Sequence, residues 1–419
     1  MRHNLDRLLS LAHRPMIREF VGFGSSTVLE QGSRLATSLV AAGLVGPVEW
    51  GIWYVMNLIL RYGALAHLGA LNGLNRQYPL EVGRGNPAEA ERLRRASLGA
   101  LAISTLPVLI ITAFVLLYSR AATLLLPIAL TLLLLVCQQL YSFVTITFKS
   151  RISFSSVSRA QGANAVLTPL ITLPLTYALG LNGYILGQAA SYAVIAILAY
   201  LVDRSIFQPA FSRKRSAQLI RIGFPIMLVG VLYALFTTVD RWVILQLMTT
   251  EALGYYSIAI MALGAAALLP QVVAQQYYPR MSNLWGANQD ILELTRLART
   301  QGRLGLIPTT TVVILAELLG PPLIRSLLPE YAPGIPAFRV IMLAPIINCF
   351  GQGFANLLNV TDRQYQYIGV ILASIAINAI CSYALGSILG LVGVAWGTVI
   401  GFSTFSTGLV LLGHKQLRK

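Results

Sequence analysis

Six charged residues stand inside long apolar runs of this chain: Glu30, Arg34, Arg61, Asp240, Arg241 and Glu317. Each is costly there, about 2.5–3.5 kcal/mol at the centre of a membrane helix, so such residues are candidate sites of function. Glu30 and Arg34 are four residues apart and share one face of a helix. At ~1.5 Å per residue they lie ~15 and ~21 Å from the inner end of their run. Arg61, on the next run and heading the opposite way, lies ~18 Å from the same side. Three charges therefore share one depth on two neighbouring antiparallel segments. A guanidinium fork binds oxyanions in bidentate fashion, so a surplus of arginine suits a phosphate-bearing ligand. Facing a polar cleft, the trio leaves a net positive charge, which grows when Glu30 takes a proton. Burial raises a carboxyl's pKa while arginines lower it, so both states of Glu30 stay open. The competing reading is a Glu30–Arg34 or Glu30–Arg61 pair that simply locks the helices.

Asp240 and Arg241 lie about two turns from the outer end of their run. There they can pair with other groups at an outer gate, so Asp240 joins Glu30 as a candidate for gating or ion coupling. Arg241 joins Arg34 and Arg61 as a candidate for ligand contact. Glu317 stands just before Gly320-Pro321-Pro322 and reaches the outer interface. Gln31, Gln138, Gln139, Tyr141, Gln161, Asn164, Gln271, Gln275, Gln276, Asn348 and Gln352 are polar residues of the apolar runs. Their amides and hydroxyls suit sugar hydroxyls, although such residues more often bridge helices. Trp50, Trp53, Tyr54, Tyr255 and Tyr256 open outer helix ends and read as interfacial anchors first, sugar-stacking platforms second.

The elements that hold these residues follow from composition. The 419 residues are 56% hydrophobic and 11% charged, with a mean hydropathy of +0.69. Soluble domains carry about 25% charged residues. Nearly uncharged stretches of membrane-spanning length recur along the chain. Twelve spans are expected, near 20–44, 51–73, 96–118, 122–147, 160–178, 182–202, 222–247, 252–275, 304–320, 340–359, 367–388 and 391–413. The expected fold is an all-α polytopic membrane protein with no room for a sizeable soluble domain.

Charge confirms the sidedness of that scheme. The connections on one side, with both ends of the chain, hold 25 of the 31 basic residues against nine acids, a surplus of 16. The whole net charge of +16 thus falls on one face, as expected of a cytoplasmic side. Both termini are expected there, and nucleic acid is not needed to explain the basicity. Residues 4–18 mix leucines with basic residues and read as a short interfacial amphipathic helix. Cys137, Cys349 and Cys381 fall within spans, and the four histidines are scattered, so no metal-ligand spacing arises. The longest outer connection, Pro321–Arg339, carries no paired carboxylates or nucleophile–base set, which argues against an enzyme.

The chain also repeats itself. Leu179-Gly180-Leu181-Asn182-Gly183 with Gly187 precedes and opens the sixth span, and Leu389-Gly390-Leu391-Val392-Gly393 with Gly397 the twelfth, at an offset of 210. Gly51-Ile52-Trp53-Tyr54 and Gly254-Tyr255-Tyr256 open the second and eighth spans. Six spans per half is an even number, so the expected arrangement is a parallel repeat of two six-helix lobes, 1–210 and 211–419, around a central cavity. The Gly183/Gly187 and Gly393/Gly397 spacings read as close-packing seams.

These features resemble the Wzx-type O-antigen flippases of the multidrug/oligosaccharidyl-lipid/polysaccharide (MOP) exporter superfamily, with a MATE-like fold. The resemblance rests on Gly22 and a span carrying Arg34, then Val48-Glu49-Trp50-Gly51-Ile52-Trp53-Tyr54. It extends to Gly223-Phe224-Pro225, Val239-Asp240-Arg241, Glu251-Ala252-Leu253-Gly254-Tyr255-Tyr256 and Leu327-Leu328-Pro329-Glu330-Tyr331-Ala332. It implies a bacterial inner-membrane protein that moves a polyprenyl-pyrophosphate-linked oligosaccharide to the periplasmic leaflet by alternating access. It implies cationic residues lining the cavity, a role that Arg34 and Arg61 fit and that Arg159, at the mouth of the fifth span, fits less well. No cofactor is implied beyond a proton or sodium ion for coupling. The implied partners are the lipid-linked oligosaccharide, membrane lipids, and polysaccharide polymerase and chain-length proteins. A multidrug or toxic-cation antiporter of the same fold is the alternative, but its cleft should favour carboxylates over arginines.

Overall fold

A computed structural model describes residues 15–118, 124–151, 153–361 and 363–415. The amphipathic segment expected over 4–18 lies almost wholly outside the described residues. Every regular element among the described residues is helical. In chain order these are α1 (Pro15–Gly63), α2 (Ala70–Gly83), α3 (Pro87–Tyr118), α4 (Leu125–Ser150), α5 (Phe154–Val202), α6 (Arg213–Phe236) and α7 (Val239–Leu247). Then follow α8 (Thr250–Asn288), α9 (Ile291–Leu327), α10 (Ile335–Ile341), α11 (Leu343–Val360), α12 (Gln364–Leu389) and α13 (Leu391–Lys415).

Among the described residues, ten stretches are long and apolar enough to cross a membrane. Two of them, Gly24–His67 and Phe154–Val202, run to 44 and 49 residues. At ~1.5 Å per residue each would measure more than ~60 Å, twice the ~30 Å hydrocarbon core. Both are interrupted by a glycine with positive φ, Gly46 (φ 77°) and Gly180 (φ 57°). Counting each as two crossings gives the twelve expected from hydropathy. The span expected over 51–73 is broken where Leu68 and Gly69 take positive φ, and that over 222–247 is broken between α6 and α7. The outer connection expected over Pro321–Arg339 is helical nearly throughout: α9 runs to Leu327, a 3-10 turn covers Pro329–Gly334, and α10 follows.

The repeat is visible in the backbone. Gly180 has φ 57° and ψ −138°, and Gly390 has φ 62° and ψ −139°. A residue with a Cβ is strained there, so glycine is what lets each chain turn back within one residue. A Cβ on Gly183 would collide with the Leu175 carbonyl, and one on Gly393 with that of Leu385. Gly187 lies against Thr172, and Gly397 against Ser382. All of these pairs keep the offset of 210 read from the sequence, so the two glycine seams close two equivalent antiparallel hairpins.

The chain divides into two compact units. One holds the chain up to Leu44 with Met56–Val231; the other holds Val45–Val55 with Leu232–Lys419. In the first, α4 packs on the α5 hairpin and α2 on α3. Its charged end is knitted by Arg94, which is fully buried. Arg94 donates to Glu91 Oε2 at 2.6 Å, to the Ser205 carbonyl at 2.9 Å and to the Ile206 carbonyl. Arg151 reaches both Glu91 (2.7 Å) and Asp203 (2.8 Å), and Arg215 grips Glu89 at 2.7 and 3.0 Å. In the second unit α12 packs along α13, and α9 and α13 pack on α11.

The second unit also corrects one expectation. Trp50, Trp53, Tyr54 and Tyr256 are buried, with Trp50 and Tyr256 fully so, and are not interfacial anchors. The cause is a reciprocal glycine contact. Gly51 leaves no room for a Cβ beside the Thr250 carbonyl, and Gly254 none beside that of Pro47. This brings the starts of two helical segments together and encloses their aromatic rings, with Trp50 and Tyr54 edge-on at 6.4 Å.

Candidate functional site

In the first unit the sequence places a carboxylate on α1 with three donors around it. Glu30 is 5% exposed. Its Oε1 accepts from Arg34 Nη2 on the same helix, from the Tyr141 hydroxyl of α4 and from Asn164 Nδ2 of α5, each at 2.8 Å. Charge-assisted hydrogen bonds of this length are the strong ones, and together they satisfy an anion that burial would otherwise make costly. The i,i+4 spacing supplies the first donor; helix packing supplies the other two.

Arg34 is held from two directions. Its guanidinium lies over the Tyr192 ring at 5.1 Å, within range of a cation–π attraction. Tyr192 in turn packs on Tyr141 at 5.0 Å. Even so, 30% of the Arg34 side chain remains exposed, and its buried Nε has no hydrogen-bond partner. The cation is thus positioned but incompletely used.

Further hydroxyls and amides extend along the same helices. Ser26 and Thr27 donate to Gln161 Oε1 at 3.0 and 3.1 Å, and Ser33 to the Ala165 carbonyl at 2.5 Å. Ser38 meets the Tyr184 hydroxyl at 3.0 Å, which accepts from Gln188 at 3.1 Å. Several residues singled out as polar thus bridge helices: Gln161 joins α1 to α5, and Gln139 donates to the Gly63 carbonyl at 3.2 Å. Tyr184, Gln188 and Tyr192 were missed by sequence reasoning; only the repeat seam at Gly183 and Gly187, on the same helical segment, pointed toward them.

None of the other three candidate arginines is among the donors to Glu30 Oε1. Arg61 is exposed near the end of α1. Arg159 is exposed on the first turns of α5, with long contacts to the Ser155 carbonyl (3.4 Å) and the Ser156 hydroxyl (3.5 Å). Asp240 and Arg241 lie in the second unit on α7, each 3% exposed. Asp240 Oδ1 accepts from the Arg241 backbone N–H at 2.9 Å. The Arg241 guanidinium sits over Tyr54 at 5.7 Å, with Nε and Nη1 buried and unpartnered. Tyr54 itself donates to the Ser257 carbonyl at 3.3 Å.

A many-spanning helical chain with a buried carboxylate and aromatic-backed arginines has the build of a multi-pass membrane protein. Solved structures agree in fold. A mutant of the Vibrio cholerae MATE transporter VcmN matches with a TM-score of 0.67 and 12% identity, over 96% of this chain and 97% of the other. The inward-facing form of a multidrug resistance MATE family transporter of the MOP superfamily matches at 0.65 and 15% identity, over 94% of each chain. Its outward-facing counterpart matches at 0.65 and 15%, over 96% and 95%. No curated protein matches by sequence. Residues 93–328 match the family described as polysaccharide biosynthesis protein, and the chain belongs to that family. The resemblance to Wzx-type flippases agrees with both the family and the fold, and the candidate spans are those of a multi-pass membrane protein.

Proposed function

We propose that this protein is a flippase that carries a polyprenyl-pyrophosphate-linked oligosaccharide from the cytoplasmic to the periplasmic leaflet of a bacterial inner membrane. The observation that carries the reading is Arg34: a guanidinium braced by Glu30 and Tyr192, yet partly exposed and with a donor to spare. Membership of a polysaccharide biosynthesis family supports a glycan cargo, and an anionic linkage is what a guanidinium fork recognises.

The mechanism follows from competition for that cation. Diphosphate entering the site takes hydrogen bonds from Arg34, which weakens its pairing with Glu30. Tyr141 and Asn164 still hold the carboxylate. Glu30 is the candidate for gating or ion coupling in the first unit. Asp240 is the corresponding candidate for gating or ion coupling in the second unit. Sugars would bind to hydroxyl and amide groups while the isoprenoid tail stays in lipid. Arg61, Arg159 and Arg241 serve as further cationic contacts along the route. The basic surplus on one face supports cytoplasmic termini, and a polymerase and chain-length proteins would receive the product.

A multidrug or cation antiporter is the second reading, favoured by the likeness to multidrug MATE transporters and by the buried carboxylate of Glu30. Reconstitution separates the two. Proteoliposomes should expose a lipid-linked oligosaccharide on the opposite leaflet in a manner lost with Arg34→Gln. Dye efflux that depends on Glu30, with glycan exposure absent, would support the antiporter instead.

A further inference from the structure

The second unit contains a polar cluster without any charge. On α11, Asn348, Gln352 and Asn356 are spaced by four residues and share one face. Gln301 of α9 reaches the same face, where Asn356 Nδ2 donates to Gln301 Oε1 at 2.9 Å and to the Ala274 carbonyl of α8 at 3.0 Å. Asn348 and Gln301 are 3% and 2% exposed. Three atoms of this cluster are buried without a hydrogen-bond partner: Gln301 Nε2, Asn348 Oδ1 and Gln352 Oε1.

Unpartnered buried amides are rare in folded proteins, because each costs about 1–3 kcal/mol. Three along one helix–helix seam call for an explanation. The seam beside them is held by backbone rather than by bulky side chains: a Cβ on Gly353 would collide with the Ala298 carbonyl, and Gly302 lies against that of Cys349. A seam of this kind can slide or part without repacking large side chains. The chemistry of the orphaned atoms is one donor and two acceptors, all neutral. A phosphate would ask for donors and positive charge, and a metal ion for carboxylates. A hydroxyl group both donates and accepts, so vicinal hydroxyls of a sugar match the set.

We propose that Gln301, Asn348 and Gln352, with Asn356 bracing Gln301, form a neutral subsite that takes the sugar hydroxyls of the cargo when the α9–α11 seam opens. The site rests on the flippase reading but is separate from its cationic element: it reads the glycan, whereas Arg34 reads the linkage. It would set which sugars are carried without setting affinity for the anchor.

Two probes distinguish these roles: a bare polyprenyl diphosphate, and the same lipid carrying a disaccharide of N-acetylglucosamine. Binding of each to the purified full-length protein is followed by tryptophan fluorescence, for the wild type, Asn348→Leu, Gln352→Met and Arg34→Gln. The wild type should bind the glycosylated probe at least tenfold more tightly. Asn348→Leu and Gln352→Met should abolish most of that preference and leave the bare lipid unchanged. Their melting temperatures should hold or rise, since an orphaned amide has been replaced by an apolar group of similar size. Arg34→Gln should weaken both probes alike. Equal binding of the two probes by the wild type would overturn the subsite and leave the flippase reading standing. Binding of neither would overturn both. Lower melting temperatures in Asn348→Leu and Gln352→Met, with the preference intact, would mean that the amides only bridge helices.

Discussion

Arg34 and Glu30 form a 2.8 Å ion pair one turn apart on the same helix, and the pair is asymmetric. Its carboxylate is 6% exposed and its guanidinium side chain 30%. The acid is enclosed by three donors, whereas the base still offers a face to a ligand.

Replacing Glu30 by Gln should therefore separate binding from turnover. The amide no longer attracts Arg34 by charge, so an anion meets less competition. Pyrophosphate should bind the purified variant at least as tightly as the wild type, while glycan exposure in proteoliposomes falls tenfold or more. Weaker pyrophosphate binding would show that Glu30 builds the anion site instead of competing with it.

Tyr141→Phe tests the support around that acid. One hydrogen bond to a buried carboxylate is lost, worth about 1.5–3 kcal/mol. The variant should melt several degrees lower in detergent, and a second substitution, Glu30→Gln, should recover part of the loss. Additive losses in the double variant would contradict a direct Tyr141–Glu30 bond.

The repeat makes a paired prediction. Gly183→Val and Gly393→Val each place a branched side chain against a backbone carbonyl, of Leu175 and Leu385 respectively. Both should reduce the yield of monodisperse protein by similar factors on size exclusion. A large effect at one position and none at the other would contradict equivalent hairpins.

At the charged end of the first unit, partial burial pushes the Asp203 carboxyl up, but Arg151 and Ser205 outweigh it and bring it down to about 2 from an ordinary 3.8. A folded value below the unfolded one stabilises above the unfolded value and is lost as pH falls through the folded one. The melting difference between wild type and Asp203→Asn should be constant near neutrality and shrink from about pH 4 to about pH 2. A difference undiminished at the acid end would contradict the Arg151–Asp203 pairing.

Much of the architecture was legible because it is written locally. Span number follows from apolar runs, and the hairpin equivalence from glycines 210 positions apart whose neighbours, Leu175 and Leu385, keep the same offset. The Glu30–Arg34 pair follows from helical periodicity. What was not legible depends on contacts distant in sequence. Tyr141 and Asn164 reach Glu30 across separations of 111 and 134 residues, and nothing in their own neighbourhoods marks them above the other amides and tyrosines. Trp50 and Trp53 looked like interfacial anchors because aromatic residues at helix ends usually are. Their burial is decided by the Gly51–Thr250 approach, which no local pattern announces.

The most direct measurement is the rate at which reconstituted protein exposes a lipid-linked oligosaccharide on the opposite leaflet, compared among wild type, Arg34→Lys and Arg34→Gln. Lysine keeps the charge but not the fork, so the expected order is wild type, then a partial rate for Arg34→Lys, then at least a tenfold loss for Arg34→Gln. An Arg34→Gln protein that folds and exposes the glycan at the wild-type rate would contradict recognition of the diphosphate by this guanidinium.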